Sequence, residues 1–238
     1  MSASSSTSNP PAAERVRDGV EPKIADGAFL ADPGVLPRGR HGLTREQVRE
    51  VQRERLLIAA TELLAAHGYR GFGAGEIAGR AGVSLAAFYD CFENKDACVF
   101  AGYDRFIEVL LERMGSVPLE GRSRTELVGT LLGTYLETLQ SDLVMARAYQ
   151  VEIDALGPAA RERRRSSLHL FAAYIREVVA RTAPDGGPPD VLSPSAYIGV
   201  VYAARQLASD ALDMDAEPDL VGLGDDMRPW LADLFRLR

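Results

Sequence analysis

The chain has 238 residues, 46% hydrophobic and 26% charged, with a formal net charge of −7. This is the composition of a globular protein, long enough for a small module plus one full-sized helical core. No run of about 18 apolar residues occurs and the first residues, MSASSSTSNPPAAERVRDG, hold no apolar h-region; neither a membrane span nor a secretory signal is expected, and the protein should be cytoplasmic.

Residues 1–40 are rich in Ser, Pro, Gly and Ala without a sustained apolar period, so they read as a disordered tail. Its end, Arg38, Arg40 and His41, is basic. Two readings fit: an arm that reaches DNA phosphates or a minor groove, or a solvated charge cluster. The negative net charge argues against a nucleic-acid partner until its distribution is considered. Residues 38–70 carry seven arginines against four glutamates, and the acidic excess lies elsewhere, where screening beyond about 8–10 Å weakens its influence.

Thr44 with Gln47 forms a capping-box pattern, and apolar residues recur at helical spacing from Val48 to Leu64 before Gly68 ends the run. Arg45, Arg49 and Arg53 fall four apart on one face of this helix. That stripe suits phosphate, and with Glu46, Glu50 and Glu54 beside it, it equally suits a solvated face. Residues 73–92, GAGEIAGRAGVSLAAFYDCF, read as two short helices joined by a tight turn. Gly82 supplies the permissive turn backbone, Ser84 caps the second helix, and Phe88 and Phe92 share an inward face with Val83. Ser84, Leu85, Ala86, Ala87, Tyr89 and Asp90 are left on the outer side.

Residues 53–95 resemble the N-terminal DNA-binding domain of TetR/AcrR-family transcriptional regulators. The marks are His67-Gly68-Tyr69, Glu76-Ile77-Ala78, Arg80-Ala81-Gly82-Val83-Ser84, Phe88-Tyr89, Phe92 and Lys95. The resemblance implies an all-α protein: a three-helix helix-turn-helix domain over 41–96, then a helical effector-binding and dimerisation domain over 97–238. It implies that Tyr89 and Lys95 donate to phosphate while the other outward residues face base edges. Two departures stand out. Gly71-Phe72-Gly73-Ala74-Gly75 replaces the usual capping Thr or Ser, suggesting a loosely held module. Leu85, Ala86 and Ala87 bring no side-chain hydrogen bond to a base, leaving contact with thymine methyl groups, and Asp90 repels phosphate unless it accepts from a cytosine amino group.

The remainder reads as helices throughout: 97–114, 125–140, one capped by Ser141 or Asp142 and running to 154, 158–180, 194–212 and about 225–237. A Gly/Pro loop is expected over 182–190. Tyr197, Val201, Ala204, Ala208 and Ala211 trace a small-residue face that suits a partner helix in a homodimer. Met114, Tyr135, Met145, Tyr149, Phe171, Tyr174 and Tyr202 are the candidates for lining an effector pocket. The run 161–165, RERRR, fits either an anion site or, more simply, a solvated helix face. Cys91 and Cys98, without histidine neighbours, form neither a zinc site nor a disulfide framework, and no metal or cofactor is expected. Glu152, Asp154 and His169 lack the spacing of a catalytic set, so an enzyme is not expected.

Together these features predict a homodimeric regulator that binds a double-stranded DNA operator, most simply a repressor released by a small hydrophobic effector. The alternative is a protein-interaction module that keeps this fold and has lost sequence-specific DNA binding.

Overall fold

A computed structural model describes residues 22–34, 44–182 and 192–236. The basic cluster at 38–41 and nearly all of the expected 182–190 loop lie outside these ranges. Among the described residues there are nine α-helices and no strand.

Helix α1 (Arg45–His67) begins with the expected box: Gln47 N donates to Thr44 Oγ1 and Thr44 N donates to Gln47 Oε1. Its second half buries Leu56, Leu57, Leu63 and Leu64, which makes it the hub of the N-terminal module. Helices α2 (Ala74–Ala81) and α3 (Leu85–Cys91) pack on it, as does α4 (Lys95–Gly115), which leaves the module and enters the second domain. There α5 (Arg124–Gln140) pairs with α9 (Leu220–Arg236), and α7 (Pro158–Arg181) pairs with α8 (Pro194–Met214). Between them sits α6 (Leu143–Gln150), which touches α1, α5 and α8. One continuous apolar core therefore joins the two halves.

Three differences from the sequence expectation have local causes. Residues 22–34 are not a structureless tail. Phe29 and Leu30 are buried, and Phe29 stacks on Phe106 at 5.2 Å between centroids. Along this strap Ala25 N donates to Asp142 Oδ2, Arg113 Nη2 to Ala28 O and Arg80 Nη2 to Pro22 O. The strap thus bridges α2 of the module and α6 of the second domain. Secondly, α6 ends at Gln150 and a 3-10 turn follows over Glu152–Leu156. The Gln150 carbonyl accepts from Arg205 Nη2 (2.7 Å) and Ser209 Oγ (3.2 Å), not from the next helical turn.

Thirdly, the α8 face assigned to a partner subunit is turned inward. Tyr197, Val201, Ala204 and Ala208 are buried within their own subunit and Ala211 is half-buried. The Tyr197 ring lies 5.9 Å from that of Phe235 on α9. Small residues let α8 approach its own neighbours closely, so this face closes the subunit core. The apolar residues left exposed on the last two helices are Tyr202, Leu207, Met214, Val221 and Trp230.

Candidate functional site

The turn between α2 and α3 is built on Gly82, whose backbone is left-handed (φ 64°, ψ 36°), a conformation glycine adopts without steric cost. A Cβ there would also lie 2.8 Å from Arg55 Nη2. Ser84 then caps α3 by accepting from Ala87 N. Phe88 and Phe92 anchor α3 in the core, presenting Ser84, Leu85, Ala86, Tyr89 and Asp90 outward. Leu85 is 47% and Tyr89 55% exposed, far above what packing alone leaves. Ala87 corrects the sequence reading. It is buried, because the inward wedge of so short a helix takes both 87 and 88.

Positive charge next to this face comes from α1. Arg45 and Arg49 are exposed, and the Cys91 thiol donates to Arg49 O, tying the end of α3 to this stretch. Arg53, the third member of the stripe, lies over the Phe92 ring at 4.5 Å. Lys95 is more committed than the resemblance implies. Its Nζ donates to Tyr69 O (2.9 Å) and Phe72 O (3.0 Å) and sits 3.8 Å from the Tyr69 ring centroid. Two of its three N–H donors therefore fasten the α1–α2 connection to the start of α4, and desolvation pulls its pKa below the usual lysine value. Tyr69 Oη bonds to Asp96 beside it, and burial, reinforced by that carboxylate, pushes its hydroxyl up to about 12. The glycine-rich connection is thus pinned at both ends.

The second site is a cavity of about 60 Å³ in the C-terminal domain, walled by α4 to α9. Of the residues expected to line a pocket, Met114, Tyr135, Tyr149 and Phe171 do so. Met145 is fully buried elsewhere in the core, Tyr174 donates to Met114 O from outside the wall, and Tyr202 is exposed beyond the arginine end. The sequence reading missed the polar lining: Tyr103, Gln150, Arg164, Ser167 and Arg205. Arg164 lies in the 161–165 run read as a solvated face, yet it turns inward to bond Asp154. Arg205 is 9% exposed, 3.7 Å from Asp154 Oδ2, and burial lowers its pKa. The Tyr135 hydroxyl and Gln150 Oε1 face each other, but neither has a partner at hydrogen-bonding geometry. Such buried unpaired groups cost about 1–3 kcal/mol each.

The cysteines serve packing. Cys98 is buried, its thiol donates to Leu56 O, and burial raises it to about 12, so it stays protonated. Among the described residues no cluster of metal-ligating side chains occurs, and no helix is long and apolar enough to cross a membrane.

With this geometry in place, comparison with known proteins is informative. The sequence profile of a family described as "Bacterial regulatory proteins, tetR family" matches residues 56–101. No curated protein matches the chain by sequence. Among solved structures, the chain is similar to the fatty acid degradation regulator FadR from Bacillus halodurans, at 20% identity and TM-score 0.64, over 76% of this chain and 94% of that one. It is also similar to FadR from Bacillus subtilis in complex with stearoyl-CoA (20%, TM-score 0.66, 75% and 96%). A third is NalD of Pseudomonas aeruginosa, the secondary repressor of the MexAB-OprM multidrug efflux pump (21%, TM-score 0.57, 79% and 96%). At these identities the likeness is one of fold.

Proposed function

We propose, from the match of residues 56–101 to the tetR family of bacterial regulatory proteins, that the chain is a transcriptional repressor, released from its operator by a small hydrophobic ligand. The observation that carries this reading is the course of α4. It starts in the DNA-binding module at Lys95, bonded to the Tyr69 and Phe72 carbonyls, and lines the cavity from Tyr103 to Met114. A drug-sized ligand needs roughly 300–1,000 Å³, several times the space available. Entry therefore requires the lining helices to separate, and any shift of α4 is delivered to the module through Lys95. A ligand that favours the expanded form lowers affinity for an operator of fixed half-site spacing. Two of the similar structures, one holding stearoyl-CoA and one a repressor, support the ligand class and the sign of regulation.

On DNA, Tyr89, Ser84, Arg45 and Arg49 supply phosphate donors, and Lys95 adds its remaining N–H. Leu85 and Ala86 meet thymine methyl groups, and Asp90 accepts from cytosine. Two copies are required, because a single α3 face this poor in donors has too little affinity alone. Fluorescence anisotropy with a duplex from upstream of the protein's own gene tests the reading. A scrambled duplex of equal composition should bind at least about a hundredfold more weakly. Raising salt from 50 to 200 mM should weaken binding by about a thousandfold or more. Equal, weak binding to both duplexes would instead favour the protein-interaction reading, which the absence of a base-directed donor on Leu85, Ala86 and Ala87 motivates.

A further inference from the structure

The polar residues that α4, α5, α7 and α8 bring to the cavity lie at one end of it. Along α4 the lining runs from Tyr103 to Met114, and along α7 from Arg164 to Ile175, each about 16 Å of helix. On α5 it runs in the opposite sense, from Val128 to Tyr135, and on α8 from Val200 to Arg205. Tyr103, Tyr135, Gln150, Arg164 and Arg205 therefore gather at one mouth of an otherwise aliphatic and aromatic channel. That they share this end is borne out electrostatically: Arg205 acts on both Tyr103 and Tyr135, and Arg164 on Tyr103.

The wall holds two guanidinium groups and no carboxylate. The one acid in reach of both is Asp154, which bonds Arg164 and lies 3.7 Å from Arg205. Gln150 is 5% exposed, and its Oε1, like the Tyr135 hydroxyl, has no partner. A buried guanidinium, Arg205, beside hydrogen-bonding groups without partners at the head of an apolar channel suits a negatively charged group carried on an apolar body.

We propose that the effector is an amphiphile with one anionic head, of the carboxylate class, its head held by Arg205 and the Tyr135 hydroxyl and its apolar body lying toward Met114 and Ile175. Arg205 donates charge-assisted hydrogen bonds, and Tyr135 donates a proton that no protein group now accepts. This deepens the reading of the cavity as the effector site and rests on it.

Isothermal titration calorimetry of the full chain with decanoate, decan-1-ol and decyltrimethylammonium, each below its aggregation threshold, tests the assignment without DNA. Decanoate should bind at least tenfold more tightly than either of the others. Arg205→Gln should bring decanoate to within about threefold of decan-1-ol. Because Arg205 is also bonded to Gln150 O, Tyr135→Phe serves as a second variant; it removes an unpaired hydroxyl, should fold normally, and should weaken decanoate three- to tenfold. Equal affinity for decanoate and decan-1-ol, or tighter binding of the cation, overturns the anionic head and leaves the effector cavity standing. Failure of all three probes overturns the inference together with the cavity reading, while DNA binding is judged separately by anisotropy.

Discussion

Gly102, on α4, marks where the two domains lock together. A Cβ at this position would lie 1.9 Å from Tyr149 Oη and 2.9 Å from its Cζ. Tyr149 is buried and its hydroxyl pairs with Thr61 Oγ1 of α1 at 2.8 Å, so the glycine lets α6 and α1 meet across α4. Gly102→Ala should destabilise the protein by about 3 kcal/mol, from overpacking plus loss of a buried hydrogen bond. Urea unfolding would show it, and a cost below about 1 kcal/mol would mean the aromatic ring yields freely. Glu62, on the same side of α1, accepts from Arg80 Nε (2.6 Å) and from Ile24 N of the strap (3.2 Å). Burial outweighs those bonds and raises its pKa above 4.5. Between 4.5 and that higher folded value the native state holds more protons than the unfolded chain, so this contribution is full below 4.5 and is lost as pH rises through the folded pKa. Glu62→Gln has no such proton. Wild type should therefore gain stability relative to the variant as pH falls through the folded pKa of Glu62, and a pH-independent difference across urea titrations would contradict this.

The connection between α1 and α2 shows how far element-level features could be read from sequence. Its glycines suggest looseness, yet two of them differ sharply in surroundings. A Cβ on Gly71 would sit 2.7 Å from His67 Cβ, whereas Gly73 is extended and a Cβ there meets only the end of the Glu76 side chain at 3.2 Å. Gly71→Ala should cost about 1–3 kcal/mol. Gly73→Ser should be neutral or stabilise by about 0.5 kcal/mol, since it restores a side-chain cap at helical cost already met. Differential scanning calorimetry of both variants separates the two outcomes, and equal losses would show that the whole run is sterically required. Helix starts with a side-chain cap, such as Thr44, Ser84 and Asn94, were legible because the capping atom lies within three residues of what it caps. Contacts made by distant residues were not. Phe29 and Leu30 sit in a Pro- and Gly-rich stretch with no period, so nothing local indicates that they fill a core built by α1 and α4. Likewise the polar end of the cavity draws single residues from five helices, and Arg164 is indistinguishable in sequence from the exposed arginines beside it.

At the scale of the whole molecule, the burial of Tyr197, Val201, Ala204 and Ala208 takes the face expected to meet a second subunit into its own core. Periodicity identifies a uniform face, but it cannot say whether that face meets its own core or another copy. The large apolar side chains left exposed on the last two helices are Tyr202, Leu207 and Met214 on α8, and Val221 and Trp230 on α9. Large apolar side chains left exposed in this way are candidates for an interface, and we propose that Leu207 and Met214, which share one face of α8, take part in it. Trp230 is the chain's single tryptophan and is 45% exposed in one subunit, so it reports on that contact directly. Leu207→Glu places a charge on the contact face without touching the subunit core, and it should convert the species in solution from twice 25.8 kDa to 25.8 kDa by light scattering. Its tryptophan emission should shift to longer wavelength at the same time, because water reaches an indole that the partner had covered. Ala208→Glu, one residue away but fully buried, should instead unfold the domain. If Leu207→Glu leaves both mass and emission unchanged while binding DNA normally, the pairing surface lies elsewhere. If it gives a folded monomer, affinity for the operator should fall steeply, since each α3 tip alone offers one half-site's contacts and no cooperation from a second.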